Sequence, residues 1–383
     1  MPRTKKTAAA PAAPPTMPSP PSERADRGRL KALASVANKF SQWKPAGQVL
    51  TVVRAHPTIF PGVDIATGVG GWPIQRITLV HGPSNHGKTQ FVHGLGLSFL
   101  RSGNFYAFVD AEYTTPSPWL ATLMQGEENN PGFVALRPKS YEETTEAVRG
   151  FCDTVSRERA AGNLPEDVCG LIVVDSIKKL VPEKLLAKIL KGDDGADGAK
   201  GRAQMMKAAL NAQWMDELVP LLYHSGMGMV IISRETEAQQ EPGSIKLNEP
   251  GAGFDYKVGG GKSLIYESSI VARITRSWVK EGTGEESRVV GEKHKVTITK
   301  TKVSAKTDKV QEGFFNTSNG LVTPEGFDRA RDVFDLAVAA GVLKLTGSWY
   351  TWDTVGKWQG ATKAVLALQA DVGLCDTLEG LVR

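Results

Sequence analysis

Residues 80 to 91 read VHGPSNHGKTQF, and no other stretch restricts the fold of this chain as strongly. Gly82, Gly87, Lys88 and Thr89 satisfy the pattern of a glycine, four residues, then Gly-Lys-Ser/Thr. An apolar run, 77–80, precedes the pattern and reads as a buried strand. After it, Phe91, Leu95, Phe99 and Leu100 fall at helical spacing, and Gly103 supplies a stop. Strand, glycine loop and helix in that order aim successive backbone N–H groups and a helix N-terminus at one point, where an anion is held. Gly82, Pro83, Ser84, Asn85, His86, Gly87, Lys88, Thr89 and Gln90 are therefore the candidate cradle for a nucleotide's phosphates. An ordinary glycine-rich turn is the alternative.

The rest of the chain supports an α/β domain around this unit. From about 48 to 320, apolar runs alternate with helical stretches, the pattern of a mostly parallel sheet. FYAFVDAEY and VCGLIVVDS both end in a carboxylate, and GMGMVIISRE ends in polar residues. Ligands of open parallel sheets sit at the carboxyl ends of strands, so these endings converge on one crevice. Residues 321–383 change to helix and aromatic turn, with Trp349, Tyr350, Trp352 and Trp358 close together, and read as a small α+β domain. Residues 1–22 are a Pro/Ala-rich basic tail with too little apolar surface to order itself. Within 23–47, Leu30, Leu33, Ala37 and Phe40 form one stripe of a short helix, followed by a linker. That stripe needs an apolar surface to cover, on its own domain or on a neighbouring subunit.

Composition excludes several classes. No apolar run is long enough to span a bilayer, and the N-terminus lacks a signal-peptide core, which together predict no membrane association and a cytoplasmic protein. Three scattered cysteines, Cys152, Cys169 and Cys375, fit a reducing compartment and neither a disulfide framework nor a zinc site. The net charge is +5, but six cations against two carboxylates in residues 1–29 supply +4 of it. Any surface for nucleic acid on the folded body is thus a local arrangement, not a global field.

Phosphoryl transfer needs charge neutralisation, a metal and an oriented water. Lys88 reaches for the β- and γ-phosphates, and the Thr89 hydroxyl is a ligand for Mg²⁺. Asp175 closes the apolar run LIVVD and is the second metal-site candidate; a helix cap is its other reading. Glu112, in FVDAEY, is the candidate that orients or deprotonates water, or else a surface carboxylate. Trp119 follows, placed either to stack on adenine or to fill the core.

With these residues in place, the chain resembles the RecA family of ATP-dependent DNA recombinases, of bacterial or phage type. VDIATGVGGWPIQRITLVHGPSNHGKT, YAFVDAE, LIVVDS, KGRAQMM, GGGKSLIYESS and RVVGEKHKVTITKTKVSAK match family segments in order, and DLAVAAGVLKLTGSWYTW matches the C-terminal domain. The resemblance implies a RecA-like ATPase core, with ATP and Mg²⁺ as nucleotide and metal. It assigns catalysis to Glu112 and adenine packing to Trp119. It implies that the N-terminal stripe docks on the adjacent subunit to build a helical filament, with Tyr266 at the interface. Lys300 and Lys302 lie two apart on a strand-like run and share a face; the resemblance places them across the subunit boundary, against the neighbour's ATP.

Two glycine-rich stretches are similar to the family's DNA loops. Lys188, Lys191, Lys200 and Arg202 flank the first. The second, about 236 to 261, carries Lys246, Phe254, Tyr256 and Lys257, with Lys262 just after it. Lysines with interspersed aromatics suit a single strand, whose phosphates are neutralised while rings meet bases. Where the family has an Asn-Gln pair whose glutamine senses the γ-phosphate, this chain has Ser233 and Arg234, then Glu235. Arg234 either contacts the γ-phosphate or pairs with Glu235 or Glu112. DTLEGLVR lacks the acidic run of many bacterial members, which implies less restrained access to DNA. The expectation is a DNA-dependent ATPase that coats single-stranded DNA and promotes pairing and strand exchange with double-stranded DNA, alongside single-strand-binding and loader proteins. A ring helicase of the same fold, or a DNA-coating protein with little hydrolysis, are the rival expectations.

Overall fold

The computed structural model describes residues 31–32, 34–36, 53–190, 197–237, 256–282, 284, 287–305, 310–317, 326–353 and 355–383. The chain divides into two units, Met1–Val52 and Val53–Arg383. In the first, residues 31–32 and 34–36 are helical and exposed. Leu30, Leu33, Ala37 and Phe40, the expected stripe, lie outside the described residues.

The second unit begins with two short antiparallel strands, β1 (Ala55–His56) and β2 (Trp72–Pro73), with helix α1 (Pro61–Thr67) between them. Five apolar strands follow: β3 (Ile77–Gly82), β4 (Phe105–Asp110), β5 (Phe133–Leu136), β6 (Gly170–Asp175) and β7 (Met227–Glu237). Every residue of β3 and β6 is buried, as in strands covered on both faces. The helices among them are α2 (Lys88–Arg101), α3 (Ser117–Met124), α4 (Tyr141–Ala160), α5 (Glu183–Leu190) and α6 (Asp197–Ser225). Next come β8 (Tyr256–Val258), α7 (Lys262–Glu267), the long pair β9 (Ile270–Glu281) and β10 (Arg288–Thr301), then β11 (Val310–Thr317) and β12 (Gly326–Phe327).

In space the sheet runs β12-β11-β10-β9-β3-β7-β6-β4-β5. The six strands from β9 to β5 are mutually parallel, and β10, β11 and β12 add antiparallel at one edge. β8 pairs antiparallel with the outer end of β7. The mostly parallel α/β core expected from the sequence is thus the observed one. Because side chains alternate along a strand, the sheet feeds two apolar layers. Val80, Val173, Val230 and Ile232 join Phe91, Leu95 and Phe99 of α2 on one face. Leu79, Val174 and Ile231 join Val148 of α4 and Trp214, Met215 and Leu218 of α6 on the other.

The C-terminal segment has its own core. Helix α8 (Arg329–Ala339), a three-stranded sheet of β13 (Lys344–Thr346), β14 (Trp349–Trp352) and β15 (Gly356–Gln359), and helices α9 (Ala361–Ala370) and α10 (Val372–Val382) enclose Val333, Phe334, Trp352, Leu368 and Leu378. The aromatic cluster read from the sequence forms this small sheet, where Trp352 is buried and Trp349 lies under the Lys357 ammonium at 4.9 Å. No helix among the described residues is long and apolar enough to cross a membrane.

Candidate nucleotide site

The loop between β3 and α2 lies at the carboxyl end of the central strand, with the ends of β4, β6 and β7 beside it. Glycine is required at two of its positions. Gly87 has φ +83°, and a Cβ there would stand 2.3 Å from Nδ1 of His294 on β10. At Gly82 a Cβ would stand 2.2 Å from the Ile274 carbonyl oxygen on β9. The loop is therefore pressed onto β9 and β10. His294 is fully buried, and its ring nitrogens meet the His86 carbonyl oxygen at 3.1 Å and Glu292 at 3.0 Å.

A cavity of about 520 Å³ opens over the loop, lined by Ser84 through Gln90, Glu112, Thr114, Trp119, Asp175, Ile232, Arg234, Arg276 and Glu292. The Lys88 ammonium donates to the carbonyls of Gly82 at 3.0 Å and Pro83 at 2.6 Å. Burial lowers its pKa, against the raising influence of Asp175. The Thr89 hydroxyl donates to Asp175 Oδ2 at 2.6 Å. Burial pushes the Asp175 carboxyl up to about 6; the charge of Glu112 adds to this, while Thr89 and Lys88 oppose it.

Glu112 stands just past β4. Its Oε1 accepts from the Ser176 hydroxyl at 2.9 Å, and its Oε2 is paired with the Arg234 guanidinium. Of the two carboxylates open to Arg234 in the sequence, the structure pairs it with Glu112. Glu235 is taken by other groups: Nε of Arg273 at 2.7 Å and Nδ1 of His81 at 2.9 Å. Burial alone would raise the Glu235 carboxyl, but the hydrogen bonds from His81 and Arg273 outweigh it and hold it at about 2. Trp119 lines the cavity with the ring of His93 edge-on beneath it at 5.9 Å. His93 is wholly buried, which pushes its pKa down to about 3 and keeps it neutral.

Thus the structure brings the loop residues, Glu112, Trp119, Asp175 and Arg234 to one cavity. Lys300 and Lys302 lie elsewhere, and neither lines this cavity. Lys300 donates to the carbonyls of Ile265 and, at 2.7 Å, Tyr266; Lys302 donates to the Tyr266 carbonyl at 2.6 Å. Both therefore cap the carbonyl end of α7. Burial, then the neighbouring Lys302, lowers Lys300 to about 8. Tyr266 is 63% exposed.

Of the nucleic-acid candidates, Lys191, Lys246 and Phe254 lie outside the described residues. The backbone alone is described for Lys200 and Arg202 on α6, Tyr256 and Lys257 on β8, and Lys262 at the start of α7. Lys188 belongs to α5. Both glycine-rich stretches are shorter than the sequence suggests, because α6 begins at Asp197 and because Glu235–Glu237 pair with Tyr256–Val258.

Arg276, Glu292 and His294 were missed by sequence reasoning. Arg276 donates to Glu292 at 3.1 Å and covers the Trp278 ring at 4.5 Å. They meet through the antiparallel register that sets Arg276 opposite His294 and Trp278 opposite Glu292, and the sequence carries no local signal of that register.

A family model described as the RecA N-terminal domain matches residues 44–317. Protein RecA of Corynebacterium glutamicum (strain R) is 29% identical over 318 residues, covering 83% of this chain and 73% of that protein. Protein RecA of Kineococcus radiotolerans is 26% identical over 356 residues, 92% and 90% of the two chains. For Protein RecA of Ectopseudomonas oleovorans the identity is 29% over 323 residues, 84% and 80%. The match spans the strands and loops that build the cavity. The chain belongs to the RecA family of ATP-dependent DNA recombinases.

Proposed function

We propose that the cavity binds and hydrolyses ATP at a boundary between successive protomers, and that this chemistry controls a helical filament on single-stranded DNA. The observation that carries the reading is the convergence of Lys88, the Thr89–Asp175 pair and Glu112 on one cavity at the carboxyl ends of three parallel strands. In this reading the backbone of Ser84 to Gln90 cradles the phosphates, Lys88 neutralises their charge, and Trp119 packs on the adenine. Arg234 faces the γ-phosphate.

A hydroxyl and one carboxylate, completed by phosphate oxygens and water, form the oxygen set that Mg²⁺ prefers. Among the described residues, no group of three or more His, Cys, Asp or Glu is placed to hold a metal on its own, so the phosphates would have to complete the shell. Thr89 and Asp175 would hold the ion, which neutralises charge on the phosphates. Glu112 orients a water whose oxygen bonds to the γ-phosphorus as the bond to the β,γ-bridging oxygen breaks. The carboxylate takes the water's proton, and ADP and inorganic phosphate leave. Lys300 and Lys302 act from the adjoining protomer on the developing charge, so turnover depends on assembly. Lys191, Lys200, Arg202, Lys246, Phe254, Tyr256, Lys257 and Lys262 meet DNA. The helix around residues 30–40 and Tyr266 join protomers, and residues 321–383 act as a separate small domain.

ATP turnover with and without single-stranded DNA tests this reading. The expected result is stimulation by DNA, with Lys88→Ala lowering turnover by a factor of about one hundred or more, the scale of one lost charge-stabilising group. Turnover unchanged by Lys88→Ala removes the phosphate-cradle assignment. Absence of turnover in the unaltered protein leaves a DNA-coating role. Closed rings on DNA in electron micrographs would favour the helicase alternative.

A further inference from the structure

We infer that Arg234 holds the water-activating carboxylate Glu112 until a triphosphate draws the guanidinium away, so that the γ-phosphate itself arms the site. This rests on the ATP-hydrolysis reading above. Both oxygens of Glu112 are engaged, Oε1 by the Ser176 hydroxyl at 2.9 Å and Oε2 by Arg234. A base must present an oxygen to the water whose proton it takes, and here Oε2 faces a guanidinium.

Arg234 has a second claimant within its own cavity. It lines the same space as Lys88, Thr89 and Asp175, where phosphates are expected. A phosphoryl group carries more charge than a carboxylate and offers pairs of oxygens that fit the planar fork of arginine. The existing pair is weak enough to exchange, because the Arg234 side chain is 39% exposed and solvent screens it.

The backbone around Arg234 is fixed. Its carbonyl accepts from Gly259 N–H at 3.1 Å, and the Ser233 hydroxyl donates to the Gly259 carbonyl at 2.7 Å. Glu235, the next residue, is held by Arg273 and His81. The moving part is therefore the guanidinium alone. ADP lacks the γ-phosphate and leaves the pair with Glu112 intact. Arg234 is in this sense a positioning residue for Glu112 and a reader of the third phosphate.

The test is a double-mutant cycle read by equilibrium binding, with magnesium, of ADP and of the non-hydrolysable imido analogue of ATP. Glu112→Gln removes the carboxylate that competes for Arg234. It is expected to tighten the triphosphate analogue by about tenfold, the scale of one charge-assisted hydrogen bond. The same change in an Arg234→Gln background is expected to have little effect. ADP affinity stays within about twofold in all four proteins, which shows that the cradle is intact. Arg234→Lys keeps a cation without the fork; its coupling to Glu112 is expected to be intermediate and guards against a variant that misfolds. Equal tightening in both backgrounds, or none in either, overturns the inference while leaving the ATP site standing. Failure of the unaltered protein to bind either nucleotide overturns the site reading as well.

Discussion

Glu235 shows how one residue of the candidate site ties stability to acidity. Its carboxyl is held at about 2, below the ordinary 4.5, because His81 and Arg273 compensate for its burial. A depressed carboxyl contributes stability that is present above the unfolded value and is lost as pH falls toward the folded one. The window is therefore about pH 4.5 down to 2. Urea unfolding of the protein and of Glu235→Gln should differ most near pH 6, and the gap should close as the solution is acidified through that window. A gap of constant size across it would mean that the contacts of Glu235 do not depend on its charge. The sequence did not reveal this cluster. His81 lies opposite both Ser233 and Arg273 across parallel strands, and only that register brings β3, β7 and β9 residues to one carboxylate.

At the scale of elements, the loop on α2 depends on β10 as much as on its own glycines. Gly87→Ala should meet two obstacles, the left-handed φ of +83° and the His294 ring at 2.3 Å. A loss of about 1–3 kcal/mol of stability is expected, with weaker nucleotide binding, measured by thermal unfolding and by ADP titration. An unchanged melting temperature would show that His294 yields freely. Much at this scale was legible in advance. β3, β4, β6 and β7 carry the apolar runs that end at Gly82, Asp110, Asp175 and the polar stretch after Ile232, and α2 buries the stripe of Phe91, Leu95 and Phe99. Such runs are local signals, because a strand covered on both faces needs continuous apolar residues. The antiparallel edge was less legible. In β10 the side chains of Glu292, Lys293, His294 and Lys295 are polar or charged, although His294 is wholly buried beneath the loop between β3 and α2. Its partner Glu292 lies two residues back on the same strand, but the His86 carbonyl reaches it only through tertiary packing, which no window of sequence contains.

For the whole molecule, Lys300 and Lys302 cap α7 and lie outside the cavity of their own chain. If they serve the neighbour's site, two inactive variants should rescue each other. Lys88→Ala supplies intact lysines, and the doubly substituted Lys300→Ala, Lys302→Ala protein supplies an intact cradle. Random alternation in a head-to-tail assembly should restore about a quarter of the turnover in an equal mixture. A mixture as inactive as its parts would place the lysines in a structural role within one chain.

The position of β3 also bears on how such a chain comes to be made. Ile77 lies opposite Met229 and Thr78 opposite Ile270, so both edges of the middle strand wait for segments synthesised far later. Pairing of that kind raises contact order and slows folding. A nascent chain therefore has to emerge beyond β9 before the strand leading into the Gly82–Gly87 loop is flanked on both sides. Capture of a labelled nucleotide during translation would then mark the moment at which the core has closed.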